Sequence, residues 1–381
     1  DASESRQSLR SRRAGDDAKF AFGLPDLCRR DGYAVMECHT YFQSAAKCGA
    51  VNCGDHRLRT IFNRHEQVEE VDAIAFLTRS HLAEFLDVGA ARERAFARLP
   101  DLLPATRGMS VVDGFRAAIA GLRAESGLDH EATIVGAFPV IAGALVQRAK
   151  GADPVAPDPN ASHAADTLNM LHNRRPAPRE VAALDAYLVT ASDHGMNAST
   201  FTARVVASTQ ADLFAAITAG YCALTGPLHG GAPEPVLEML DAIGTRERIK
   251  PWVDDALARG ERLMGFGHRV YRVRDPRADV LKAAIERLAG EGADLPFAGE
   301  VESYIRAALR RKNPDRPLET NVEFFTAILL DALKIPRQAF TPIFAVARAA
   351  GWTAHALEQR RTGRLIRPSS SYVGAKPAAQ R

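Results

Sequence analysis

Nowhere do the 381 residues stay apolar for the ~18 positions that a membrane-spanning helix needs; the longest candidates, Ile134 to Val146 and Phe324 to Leu333, are too short or interrupted. Cysteine is scarce and odd in number. Five in a long chain argue against a disulfide scaffold and fit a reducing cytoplasm, where the protein is expected to reside. Charge of one sign is missing as well. A formal net charge of +3, with arginine spread throughout, gives no case for nucleic acid as a partner. The first residues, Asp1-Ala2-Ser3-Glu4-Ser5, lack the basic-then-apolar plan of a secretion signal. Phosphate-binding glycine loops, the His-Glu-x-x-His zinc motif and the Gly-x-Ser-x-Gly nucleophile turn are all absent, so nothing calls for a resident nucleotide, metal or other cofactor. Alternating apolar and polar stretches are rare too. The chain therefore reads as all-α with only incidental strand, and it shows no internal repeat or coiled-coil heptad.

What is present is an ordinary globular composition, 46% hydrophobic and 25% charged, long enough for one large core plus a smaller domain. Residues 1–68 form an irregular N-terminal segment of uncertain fold. They hold Cys28, Cys38, His39, Cys48, Cys53, His56 and His65. Their spacing matches none of the strong zinc patterns, and they read as small buried thiols and surface histidines, with a metal-binding lobe as the alternative. From Glu69 onward helical spacing dominates. Ser110 is expected to cap a helix carrying Val111, Phe115 and Ile119; Glu131 to Lys150 has the nearly uncharged middle of a segment buried all round. Further helices are expected over Ala161–Leu171, from near Arg179, over Thr200–Leu224 as one buried rod, and from Pro233. Others are expected over Trp252–Arg262, Ala278–Leu288, Phe297–Arg311, Asn321–Leu333 and Pro342–Arg361.

Chemistry concentrates in 226–277. His229 lies in Gly226-Pro227-Leu228-His229-Gly230-Gly231, and His268 in Gly265-Phe266-Gly267-His268-Arg269-Val270-Tyr271-Arg272, followed by Asp275-Pro276-Arg277. Glycines beside a histidine suggest a tight turn or close approach of a ligand. Arginines suggest a carboxylate or phosphate substrate. A helix start after His229 and the cations around His268 both disfavour imidazolium, so two neutral donors are expected. Either histidine could instead be a structural turn donor. His194, in Asp193-His194-Gly195-Met196-Asn197-Ala198-Ser199-Thr200, either supports a turn capped by Asn197, Ser199 or Thr200, or faces a polar ligand. Glu323, walled by Phe324 or Phe325, would have a raised pKa suited to a base, or is merely a helix N-terminal carboxylate. Arg348, in an apolar helix, calls for a buried anionic partner. With Arg277 and Arg367 it could hold a di- or tricarboxylate. A second basic set, Arg310, Arg311, Lys312 and Arg316 with Arg269, Arg272 and Arg274, has a density suited to phosphate or is a solvated face.

Taken together these motifs resemble the citrate synthase family, particularly its bacterial dimeric members, from about Met109 to Gly374. The resemblance implies a large helical domain, 69–226 with a return over 341–381, and a small helical domain, 227–340, closing over an interdomain cleft. It implies condensation of oxaloacetate with acetyl-CoA and water to citrate and CoA. His229 then matches the donor to the thioester carbonyl, His268 the group that polarises the oxaloacetate ketone, and Glu323 the base. His194, Arg277 and Arg348 match substrate-binding residues, and Arg367 the arginine supplied by the second subunit of a homodimer. Arg269, Arg272, Arg274, Arg311 and Lys312 are the candidates for CoA. The family base is usually aspartate, whereas Glu323 is one methylene longer; either the backbone is set back or activity is impaired. The family's N-terminal element has no counterpart in 1–68. A 2-methylcitrate synthase using propionyl-CoA and a non-catalytic relative are the alternatives.

Overall fold

The computed structural model describes residues 88–123, 130–226, 229–230, 233–267, 275–288, 295–314, 318–371 and 374, all within the unit Ile74–Arg381. The helical pattern expected from Glu69 to Leu86 and the Cys/His-rich segment lie outside the described residues. Fourteen α-helices are described. They are α1 (Val88–Ala97), α2 (Leu99–Leu102), α3 (Val111–Ala120), α4 (His130–Ala149), α5 (His163–His172), α6 (Pro178–Ala191) and α7 (Ala198–Ser208). Next come α8 (Leu213–Leu224), α9 (Pro233–Ile243), α10 (Arg246–Ala258), α11 (Pro276–Arg287), α12 (Leu295–Lys312), α13 (Val322–Ala332) and α14 (Phe340–Thr362). The β-structure among the described residues is an isolated antiparallel bridge, Phe266 to Thr320, which agrees with an all-α reading.

Local chemistry sets the helix ends. Ser110 accepts the Asp113 N–H at 3.0 Å and starts α3 as its sequence suggests. Ser162 does the same for α5 and Asp212 for α8. Gly260, at φ +74°, ends α10: its N–H donates to the Leu257 carbonyl while the next N–H reaches back to Ala256 at 2.9 Å. That stop corrects the expected Trp252–Arg262 helix, which starts six residues earlier and finishes at Ala258. The expected rod Thr200–Leu224 is corrected too. Gln210 takes a left-handed φ of +66° and Asp212 caps a new helix, so α7 and α8 are separate rods packed on each other. An alanine-rich run conceals such a break, because both halves keep helical spacing.

α4 sits in the middle, packed by α1, α3, α5 and α14. By length and composition it could cross a membrane, and it is longer than the apolar run read from the sequence; 78% of its apolar window is buried against these neighbours, as in a core helix. α1 approaches closely because Gly136 has no side chain: a Cβ there would come within 2.8 Å of the Ala91 Cβ. Beside this contact Arg92 and Asp166 form a buried ion pair at 2.6 Å, with Arg92 also donating to the Asp158 and Ala161 carbonyls. α14 is the helix that positions the polar side chains of greatest chemical interest. It packs against α4, α6, α7 and α8, so side chains on successive turns of one rigid helix can reach several loops.

Candidate active site

Arg348 and Trp352 are four residues apart and therefore share a face of α14. Trp352 is fully buried and donates its indole N–H to Ser199 Oγ at 3.2 Å. Ser199 lies in the first turn of α7, capped by Asn197, whose Oδ1 accepts the Ser199 and Thr200 N–H groups at 3.1 Å each. Asn197 Oδ1 also accepts the Ser199 hydroxyl at 2.7 Å, so Ser199 is shared between the cap and His229. The Ser199 N–H lies 3.3 Å and its Oγ 2.9 Å from Nε2 of His229. The backbone N–H can only donate, and that contact puts the lone pair on Nε2 and the proton on Nδ1; the Ser199 hydroxyl, which lies between Nε2 and Asn197 Oδ1, can donate to only one of them at a time. Burial first, and the Arg348 cation second, bring the His229 imidazole down to about 4. Neutrality was expected from the sequence, but from a helix start; burial and Arg348 are its causes.

Arg348 is almost completely buried, and its Nη1 has no hydrogen-bond partner among the described residues. Its guanidinium stacks over the Phe344 ring at 5.1 Å. Burial, helped by the neighbouring Arg277 cation, lowers it to about 10, while Asp193, Tyr187 and Asp275 act in the opposite sense. The bonded anionic partner expected from the sequence is thus not found among the described residues: Asp193 and Asp275 act electrostatically without pairing with Arg348. The Tyr187 hydroxyl, fully buried on α6 and within electrostatic reach of Arg348, is a second polar atom without a hydrogen-bond partner among the described residues. A buried polar group left unmatched costs about 1–3 kcal/mol, and more when charged. An anion entering beside Arg348 would satisfy its Nη1.

The starts of α11 and α13 meet at Asp275. Its carboxylate accepts the Arg277 N–H and Nε at 3.0 Å each, the Arg277 Nη2 at 2.8 Å and the Val322 N–H at 3.2 Å. Asn321 caps α13 through the Glu323 N–H at 3.0 Å, and its amide donates to the Gly267 carbonyl at 2.9 Å. This ties Glu323 to the strand-like turn leading into His268. The turn needs Gly265, which has φ +82° and lies so near Phe324 that a Cβ would come within 2.8 Å of that residue's Cβ. Phe324 in turn packs on Phe266 and Phe325, at centroid distances of 5.3 and 5.2 Å. Glu323 keeps part of its surface open, yet burial pushes its carboxyl up to about 7, against the pull of Arg262 and Arg277. Arg277 therefore acts on both Glu323 and Arg348, and Arg348 acts on His229.

His194 is half-buried in the turn before α7. His268, Arg269, Arg272 and Arg274 lie outside the described residues. Arg311 stacks over Tyr304 at 5.7 Å and the Lys312 ammonium donates to the Leu257 carbonyl at 2.8 Å, so both are engaged where α12 meets α10. Arg367 is exposed on a tail held along α7, with the Ile366 N–H donating to Ser208 Oγ at 3.0 Å. Within this chain it is not gathered with Arg348. Sequence reading passed over Trp352, Tyr187 and the bond from Ser199 to His229. The useful signal was Asn197: once it is the cap, Ser199 falls in the first turn of α7, where its N–H has no partner within the helix.

Two of the shifted groups, His229 and Glu323, give opposite pH dependences. His229 stays neutral in the fold, so its contribution to stability is complete above 6.5 and is lost as pH falls from there through about 4. Glu323 holds a proton that the unfolded chain gives up above 4.5, so its contribution declines as pH rises from there through about 7. Glu323→Gln removes the second effect. The urea midpoint of the variant should gain on the wild type between about pH 5 and about pH 8. A difference that stays constant, or moves the other way, contradicts the buried-carboxyl assignment.

Comparison with known proteins gives a consistent answer. The family described as citrate synthase, C-terminal domain, matches residues 62–369. A relative from Mycobacterium tuberculosis is 52% identical over 202 residues, 53% of this chain and 54% of its own length. The chain thus spans about half the length of the curated relatives it matches first. The citrate synthase of Haloferax volcanii is 41% identical over 256 residues, 66% of each chain. Among solved structures, Thermotoga maritima citrate synthase superimposes with a TM-score of 0.67 at 31% identity, covering 79% of this chain and 82% of that one. A ternary complex of the Thermoplasma acidophilum enzyme with carboxymethyl coenzyme A and oxaloacetate gives 0.69 at 27% identity, covering 81% and 86%.

Proposed function

The chain belongs to the citrate synthase family, and from that premise we propose that it condenses oxaloacetate with acetyl-CoA and water to give citrate and CoA. One observation carries the proposal: the buried Arg348 guanidinium with an unmatched Nη1 shares its surroundings with Arg277, a neutral His229 and a carboxyl raised to about 7. Unmatched buried cations call for a small polyanion. A neutral imidazole beside a basic carboxylate suits removal of a carbon-bound proton.

In this reading Glu323 takes a proton from the acetyl methyl group. Near pH 7 a carboxyl of that pKa is partly ionised and more basic than an ordinary glutamate. His229, its Nε2 occupied by Ser199, presents Nδ1–H to the thioester oxygen as enol character develops. His194, Arg277 and Arg348 hold the oxaloacetate carboxylates, and His268 delivers a proton to the ketone oxygen as the new carbon–carbon bond forms. Water then hydrolyses the citryl thioester, releasing CoA. Arg269, Arg272, Arg274, Arg311 and Lys312 are proposed to meet CoA phosphates. The segment 227–340 would close over the remainder, shielding the enol from water and fixing the reacting distance. The deciding experiment is CoA release by the purified protein with oxaloacetate plus acetyl-CoA or propionyl-CoA. Release with neither donor would overturn the proposal, and faster release with propionyl-CoA would redirect it to 2-methylcitrate.

We further propose a homodimer with Arg367 supplied across the interface. In support, α8 contains no charged residue although Ala215 and Cys222 are exposed on it, and the adjoining surface bares Phe201 at 46% and Leu365 at 57%. Light scattering should report twice the chain mass. Mixing separately inactive Glu323→Gln and Arg367→Ala chains by co-refolding should restore roughly a quarter of wild-type turnover, because half the dimers then hold one intact site. No recovery would exclude an arginine shared between subunits.

A further inference from the structure

Beyond the residues that meet substrate, α14 carries His355, whose ring is held from both sides. Arg204 Nη1, a group that can only donate, lies 3.1 Å from Nδ1, so the ring proton resides on Nε2. Nε2 is 3.2 Å from Asp193 Oδ1. The other Asp193 oxygen accepts the Gly195 N–H at 3.1 Å, closing the turn that bears His194, where Gly195 has φ +51°. Arg204 is itself paired with Glu358, so its charge is balanced. Asp193 is buried and lies close enough to act electrostatically on Arg348, whose Nη1 is unmatched. A carboxylate so placed has two places to go, and at one of them it is held by the His355 ring on one oxygen and the Gly195 N–H on the other.

We propose that His355 is a positioning residue: it pins Asp193 to the His194 turn and so keeps that carboxylate from neutralising Arg348, leaving the guanidinium open to the anionic substrate. The proposal rests on the reading of this site as the oxaloacetate pocket. Without the imidazole, Asp193 turns toward Arg348 and competes with the substrate carboxylate, while the His194 turn loses an anchor. The expected defect is therefore in oxaloacetate binding and not in the chemical step.

The test uses the full-length protein and compares His355→Phe with His355→Gln, whose amide N–H can take the place of Nε2–H. His355→Phe should raise the oxaloacetate KM roughly tenfold or more while the acetyl-CoA KM stays within about twofold, and His355→Gln should recover most of the loss. Adding Asp193→Asn to His355→Phe should lower the oxaloacetate KM again, since a neutral amide cannot quench Arg348. An unchanged KM in His355→Phe, equal effects on both substrates, or a double variant worse than the single overturns the proposal. Should His355→Phe fail to fold, His355→Asn, too short to reach Asp193, replaces it. If the wild type itself releases no CoA, the functional reading fails separately. Hydrogen exchange at the Gly195 amide then decides: faster exchange in His355→Phe than in wild type and His355→Gln supports the pin, and identical exchange removes it.

Discussion

Glu323→Gln is expected to bind oxaloacetate nearly as the wild type does and to lose about a thousandfold in CoA release, the middle of the range for a positioned general base. The amide keeps the size of the side chain and leaves the Asn321 cap in place, because that contact is made by the residue 323 backbone N–H. Arg277 and Arg348 are untouched. What disappears is a base whose burial raises it to about 7. Steady-state kinetics with a separate measurement of oxaloacetate binding distinguishes the two effects. Turnover within a few-fold of wild type would remove Glu323 from the chemistry. Loss of binding together with turnover would instead make it a structural carboxylate at the start of α13.

Arg348→Met should abolish the response to oxaloacetate, raising its KM by two orders of magnitude or more, since roughly 3–5 kcal/mol follows the loss of one partner from a buried charged contact. The same substitution should not destabilise the free protein. Arg348 is buried with an unmatched Nη1, and methionine fills a similar volume against Phe344 and Trp352 without that cost. Opposite movements are therefore expected: a melting temperature equal to or above wild type and a site that no longer takes its anion. Thermal melts with and without oxaloacetate, beside the kinetics, test both. A strongly lowered melting temperature would mean that Arg348 already serves the fold, and the case for an anion pocket there would weaken.

Much of this arrangement was legible before any coordinates. Ser110 and Asn197 act as caps, Glu323 begins a buried helix with a raised carboxyl, and α4 is buried nearly all round. Helix ends were less legible where composition is uniform: alanine continues through the break at Gln210, and only its positive φ and the Asp212 cap separate α7 from α8. The partner expected for Arg348 was misjudged for a similar reason. A sequence shows that an arginine sits among apolar neighbours, but not which acids reach it. Asp193 is instead engaged by His355 and Gly195, and Asp275 by Arg277 and Val322.

By itself the amino-acid order determined what depends on near neighbours along the chain: helical spacing, caps, the glycine-flanked histidines and the acid at the head of α13. Those properties arise from backbone sterics and from side chains reaching only a few positions away. Tertiary structure alone decided which polar atoms met. It set Ser199 and Trp352 behind His229, gave Asp193 to His355, and left the Arg348 Nη1 unmatched. These outcomes depend on residues up to 162 positions apart in the chain meeting at one place, where burial removes water as the alternative partner and makes each pairing, or its absence, count.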